Sequence, residues 1–438
     1  MSEEPEQGQF KKTEAEPEPV TTARPKRRVR ILLCLVAALL LVAVLAALGV
    51  AHYSQSAEFH ECARQFIIAQ IEQATGGQVE LQGVQWTLER LQFELDGLTI
   101  HGREAASEPP LLRAEQVRAR VKWAPLLEHR ISLHELSVLH PLAHVDVYRD
   151  GSTNLPEPKV RKGTPADQVE QLLRLAMDHA ELIDGQLLWN EQRIKLDGAA
   201  EQVSVALRYN SAGHHYTGEA KVGAVHIVLP QVEPLTLGME AEFRVYRDRL
   251  EVPRLRVNEG HSWVEASGAV SGLNTPVAQF AYRAGGDLEE LGRLLRLRGL
   301  RGGAVQSSGE GTYRWDRGEY ALVGKAQAAG VNWTDHVIQL EHVNGGIAYS
   351  LDREQFNVSS IFATALGGTV HGKLDASTGK DPVGRIALEV TGVEVGQALR
   401  AFSTRDMPLD LLHLSGAATG TLDVRWRGSL LNAKMDGD

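Results

Sequence analysis

The sequence holds 438 residues, room for two or three ordinary domains, and its 43% hydrophobic and 23% charged content lies near the globular average, which excludes wholesale disorder. The formal charge is −10, and residues 1–51 carry seven basic and six acidic side chains, so the acidic excess sits in the remainder. That excludes a strongly basic nucleic-acid surface, and no nucleic-acid partner is expected. The two cysteines, Cys34 and Cys62, provide no disulfide framework.

Residues 1–30 (Glu3, Glu4, Glu6, Glu14, Glu16 and Glu18 with Pro5, Pro17 and Pro19) are too polar to fold and read as a disordered tail. Ile31 to Ala51 follows, 21 residues without a charge. As a helix this run spans about 30 Å, the thickness of a bilayer's hydrocarbon. Arg24, Lys26, Arg27, Arg28 and Arg30 crowd its N-terminal side, and no Lys or Arg follows until Arg64. The positive-inside rule places residues 1–30 in the cytoplasm and the bulk of the chain across the membrane. A cleaved signal peptide is the competing reading, since Gly49-Val50-Ala51 offers small residues at a cleavage position. The apolar run exceeds the ~7–15 residues of such a peptide and a long tail precedes it, so an uncleaved anchor is expected.

Residues 57–74 predict an amphipathic helix with Phe59, Cys62, Phe66, Ile67, Ile71 and Ala74 on its apolar face, stopped by Thr75-Gly76-Gly77. From residue 79 the period becomes two. Val117, Ala119, Val121 and Trp123 alternate with Arg118, Arg120 and Lys122, and Val145 and Val147 flank Asp146. Such alternation predicts antiparallel strands with one apolar and one wet face, and Asp96-Gly97, Asp150-Gly151, Asp184-Gly185 and Asp197-Gly198 mark turns. The pattern runs almost to the end. Short helices are predicted only at about 167–181, 287–298 and 394–402, and residues 157–166 form a linker. A weak repeat relates Ala284-Gly285-Gly286, a helix and Gly311-Thr312 to Val390-Thr391-Gly392, a helix and Gly420-Thr421. The expected fold is mainly β: an elongated, twisted antiparallel groove of repeating strand sets separated by short helices. The expected domains are 52–156, a helix plus strands, and 167–438, repeated units continuing in a longer chain.

Several segments together resemble the AsmA-like family of inner-membrane-anchored periplasmic proteins, of the AsmA and TamB type. They are Ala74-Thr75-Gly76-Gly77, Gly83-Val84-Gln85-Trp86, Leu98-Thr99-Ile100-His101-Gly102, Val121-Lys122-Trp123-Ala124-Pro125-Leu126-Leu127, Pro141-Leu142-Ala143-His144-Val145 and Arg149-Asp150-Gly151-Ser152-Thr153-Asn154-Leu155-Pro156. The resemblance covers about residues 30–157, with Leu366-Gly367-Gly368-Thr369 and Leu414-Ser415-Gly416 fitting more loosely. It implies an apolar β-groove bridging the two membranes of a diderm bacterium and carrying phospholipid. For TamB relatives it implies a role in inserting outer-membrane β-barrel proteins, which would then be partners. It brings no catalytic residues.

An alternating sheet must cover its apolar face, and the predicted helices are too few to cover this one. Acyl chains could do so at about 0.8 kcal/mol per buried methylene. The candidate groove residues are Val117, Val121, Trp123, Val138, Val145 and Val147. The other reading is a two-sheet sandwich array serving as scaffold or adhesin. Gly260-His261-Ser262-Trp263-Val264 lacks the closing glycine of a nucleophile elbow, and Ser377-Thr378-Gly379-Lys380 reads as a turn. His129, His134, His140, His144 and His214-His215 read as surface histidines rather than metal ligands. No enzyme, cofactor or metal is expected.

Overall fold

The computed structural model describes residues 57–105, 107–122, 132–156, 164–175, 177–193, 195–229, 233–294, 296–297, 299–336, 338–378, 382–404, 407–428 and 434–437. The predicted tail 1–30, the apolar run 31–51 and Trp123 lie outside the described residues, as do residues 157–163 of the predicted linker. No helix among the described residues is long and apolar enough to cross a membrane. The chain divides into two units, Met1–Cys62 and Ala63–Asp438, and every strand belongs to the second.

The second unit is mainly β. Among the described residues its 21 strands form one mixed sheet. They are β1 (Gln78–Glu80), β2 (Gly83–Thr87), β3 (Gln92–His101), β4 (Leu112–Val121), β5 (Leu133–Leu139), β6 (Leu142–Val147), β7 (His179–Glu191), β8 (Leu196–Asn210), β9 (His215–Val228), β10 (Leu235–Val245) and β11 (Arg249–Glu259). Then come β12 (Ser262–Ser271), β13 (Val277–Asp287), β14 (Leu300–Arg314), β15 (Glu319–Thr334), β16 (Gln339–Asp352), β17 (Gln355–Ala365), β18 (Gly368–Ser377), β19 (Val383–Glu394), β20 (Ala417–Arg427) and β21 (Lys434–Gly437). The helices are α1 (Ala57–Thr75), α2 (Pro165–Leu175), α3 (Leu288–Leu294) and α4 (Val395–Ala401).

The expected antiparallel order is corrected at one place. β5 and β6 pair antiparallel to β4 but parallel to β7. A parallel step needs a long crossover, and the chain supplies it between Val147 and His179, with α2 inside it. The last residues of the predicted linker therefore open a helix. Thr164 caps it: the Asp167 amide donates to Thr164 Oγ1 at 3.3 Å, and the Thr164 amide donates to Asp167 Oδ2 at 2.8 Å. The predicted helix at 167–181 also ends early, because Ala180 and Leu182 alternate as strand residues of β7. From β7 onward each strand pairs antiparallel with the next.

The repeat seen in sequence has a structural counterpart. α3 begins at Leu288 and α4 at Val395, 107 residues apart, each inserted in a connection between antiparallel neighbours, with β14–β19 between them.

Two clusters hold the covered part of the sheet. Val79, Leu81, Val84, Leu98 and Ile100 pack with Ile67, Ile68 and Ile71 of α1. Arg64 Nη1 also donates to the Leu81 carbonyl at 3.0 Å. The apolar face predicted for α1 is thus rotated: Phe66 is 65% exposed and Cys62 is exposed, because Ile67, Ile68 and Ile71 form the stripe that meets the sheet. Met177, Ala180 and Tyr216 form the second cluster, packed by Leu172 and Leu173 of α2. Tyr216 has no exposed surface; its hydroxyl donates to the Leu172 carbonyl at 3.1 Å and accepts from the Met177 amide at 2.9 Å. Burial holds that phenol above its ordinary value.

Candidate functional site

Residues directly paired across a ladder project from the same face of the sheet. One row can be followed through every strand except β1 and β6. It runs Val84, Leu95, Val117, Val138, Leu182, Val205, Ala220, Ala241, Leu255, Ala266, Tyr282, Gly309, Gly324, Tyr349, Val358, Leu374, Ile386, Val424 and Met435. No position in it is charged. A second row on this face runs Val203, Val222, Met239, Val257, Val264, Ala284, Ser307, Ala326, Ile347, Ile361, Gly372, Leu388 and Leu422.

The opposite face carries charge in alternating sign. Ser204, Lys221, Glu240, Arg256, Glu265, Arg283, Ser308 and Lys325 follow one another across β8–β15. Lys221 pairs with Glu240 at 3.2 Å, and Glu265 takes Arg256 at 3.5 Å and Arg283 at 3.4 Å. Val323 and Phe362 are apolar interruptions of this face, at 61% and 44% exposure.

The apolar face is covered unevenly. α1 and α2 cover it at the start of the unit. Farther along, strands pack chiefly on the strands beside them. Among the side chains of the first row from Val205 to Ile386, only Val358 is buried; the others stay half-buried. In the second row Val264 is 43% exposed.

Of the predicted groove residues, Val117 and Val138 are adjacent in the first row, and Val117 packs against the core under α1. Val121 lies four residues on from Val117 along β4, on the same face by alternation. Val145 pairs with Trp189, and Val147 with Glu191. A change of phase separates Val138 from Val145 in sequence. The sheet absorbs it with irregularities in consecutive strands, at His140 (φ 43), Asp184 (φ 52) and Gln202 (φ 55), and with a register shift opposite Gly223 and Ala224. A one-residue slip moves every later side chain to the other face. Aligned bulges cancel that slip, so Trp189, Gly198, Ile227 and Leu235 continue the apolar face. Simple alternation missed this device; the sequence signal was the even-to-odd switch from Gly198 and Ala200 to Val203 and Val205.

Two tyrosines cross the middle of the wall. Tyr282 and Tyr349 meet hydroxyl to hydroxyl above Gly309 and Gly324. A Cβ on Gly324 would lie 2.6 Å from the Tyr282 oxygen and 2.9 Å from that of Tyr349, so only glycine admits them. Ser307 Oγ donates to the Lys325 carbonyl at 3.1 Å, and therefore accepts from Tyr349, 3.0 Å away. Burial and the Tyr349 hydroxyl hold the Tyr282 phenol above its ordinary value.

A polar cluster lies behind β6. His144 was expected at the surface but is 8% exposed, because β6 is backed on its polar side by the segments around Pro109 and Asn154. His144 Nδ1 lies 3.1 Å from the Pro109 carbonyl and Nε2 3.3 Å from Asp146. Asn154, with no exposed surface, donates to the His144 carbonyl at 2.8 Å and accepts from the Asp146 amide at 3.0 Å. Burial pushes the Asp146 carboxyl above its ordinary value, against the attraction of His144 and with help from Glu108 and Glu104. The other histidines serve singly: His134 meets Asp178 at 2.8 Å, His140 meets Glu115 at 2.6 Å, and His215 stacks on Tyr246 at 4.6 Å. His129 lies outside the described residues. No group of three or more potential metal ligands occurs among the described residues. Ser262 Oγ donates to Glu290 Oε2 at 3.0 Å in the β11–β12 turn.

No known protein-family profile matches the chain, and no curated protein shows significant similarity to it. The two-faced sheet is therefore what a functional reading starts from.

Proposed function

We propose that this chain is an AsmA-like protein that is anchored in the inner membrane through residues 31–51 and carries phospholipid toward the outer membrane along its apolar face, without enzymatic turnover. In this reading the sheet is an elongated, twisted groove and residues beyond the anchor are periplasmic. The observation that carries it is the pair of rows from Val203 and Val205 to Leu388 and Ile386, uncharged throughout and, apart from the buried Val222, Gly324 and Val358, partly open to solvent. Exposed apolar surface of that extent marks an interaction or ligand-binding face. Covering it with acyl chains returns about 0.8 kcal/mol per methylene, and alkyl chains need no directional partner along the wall. The charged ladder on the reverse face keeps that side in water. A non-enzymatic scaffold is the alternative, and a TamB-type factor for inserting outer-membrane β-barrel proteins is the other role the resemblance supports.

Native mass spectrometry of the full chain in amphipol tests the proposal. Phospholipid retained in stoichiometric or larger amounts is the expected result. A lipid-free chain after exposure to phospholipid vesicles overturns it.

A further inference from the structure

Beyond the part that α1 and α2 cover, the wall is roofed again at α3. α3 lies at the edge where β11 turns into β12: Glu290 Oε2 accepts from the His261 amide at 3.1 Å and from Ser262 Oγ at 3.0 Å. Leu291 points from α3 toward Gly286 and, with Leu235, Leu237, Val257, Trp263, Val264, Ala284 and Val305, lines an open-sided hollow of about 280 Å³. At ~27 Å³ per methylene, a hollow of this size has room for roughly ten carbons of an alkyl chain. Among the described residues Glu259 is the only ionisable side chain lining it, and the Glu290 carboxylate sits beside it on the roof. Arg293, in the last turn of α3, is not part of the lining.

We propose that the hollow under α3 is a distinct subsite that holds the glycerol-proximal carbons of one acyl chain of a phospholipid bearing an ammonium headgroup, the ethanolamine class, with the rest of the chain lying along the open wall. The proposal rests on the lipid-carrying reading. The tail is selected by the apolar lining and by the space that Ala284 leaves open. The headgroup is selected by charge: carboxylates at the mouth attract an ammonium and repel a headgroup whose only charge is its phosphate.

The test offers the full chain, in amphipol, vesicles with equal amounts of ethanolamine- and glycerol-headgroup phospholipid of identical chains, and counts bound lipids by native mass spectrometry. The expected result is an ethanolamine enrichment of about threefold to fivefold, the size of a partly solvated ion pair. Glu259→Gln should lower that ratio toward one. Ala284→Phe should fill the hollow and remove about one lipid per chain. Lipid bound without headgroup preference, and unchanged in number by Ala284→Phe, overturns the subsite and leaves the carrying reading standing. A wild-type chain that binds neither lipid overturns the carrying reading itself. Glu259→Gln changes a solvent-reached group, so its result stands even if Ala284→Phe misfolds.

Discussion

Replacing Asn154 by alanine removes the side chain that ties β6 to the segment closing behind it. Its amide donates to the His144 carbonyl at 2.8 Å and its oxygen accepts from the Asp146 amide at 3.0 Å, with no exposed surface at the residue. Truncation leaves one buried N–H and one buried C=O unpaired. Each costs about 1–3 kcal/mol, so the sum is about 2–5 kcal/mol when relaxation is allowed for. The strands contact chiefly their neighbours, so the loss should appear as local opening. At a factor of ten per ~1.4 kcal/mol, hydrogen exchange of the β6 amides should quicken roughly thirtyfold to several thousandfold. Exchange read by mass spectrometry on peptides covering 142–156 is the assay. Ser152→Ala is the control: its hydroxyl donates to Asp150 in an exposed turn, and its loss should cost under ~1 kcal/mol. An Asn154→Ala chain exchanging within threefold of wild type refutes the reasoning, since the two bonds would then carry no net stability.

Three further outcomes are expected. Ile347→Glu places a carboxylate on the apolar wall and should reduce phospholipid retention more than tenfold, because desolvating an unpaired charge costs several kcal/mol, whereas Ser308→Glu, on the reverse face between Arg283 and Lys325, should leave retention unchanged in the same mass-spectrometric count. Asp146 holds its proton more tightly folded than unfolded, so its contribution to stability falls as pH rises from the ordinary carboxylate range to the raised value and is level above it; Asp146→Asn should remove that slope in urea unfolding curves recorded from pH 4 to 8. Gly324→Val should destabilise by about 1–3 kcal/mol in the same unfolding assay, because its Cβ meets the Ser308 carbonyl at 2.8 Å as well as the two tyrosine hydroxyls.

Much of the architecture was legible before any coordinates. Val203, Val205 and Leu207 announced β8, and Ile347, Tyr349 and Leu351 announced β16, because a two-residue period reports the pleat directly. The offset between the two glycine-helix segments located α3 and α4. Other features depended on distant partners. The parallel pairing of β5 and β6 with β7 is invisible in alternation, which is the same in either direction. Cys62 and Phe66 satisfied a helical period as well as Ile68 does, and only the presence of a sheet on one side chose between stripes. The surface assignment of His144 failed for a similar reason. A histidine on the polar side of a strand is exposed unless something packs behind it, and here the Asn154 segment does.

The amino-acid order by itself determined that this chain makes strands with one oily and one charged side, since side-chain direction along a strand is a local consequence of backbone geometry. Which oily sides join was decided only by the tertiary structure. Register, and the aligned irregularities at His140, Asp184 and Gln202, carry Val138 and Val145 to one face across a break in phase, because pairing is a property of two strands and neither contains it alone.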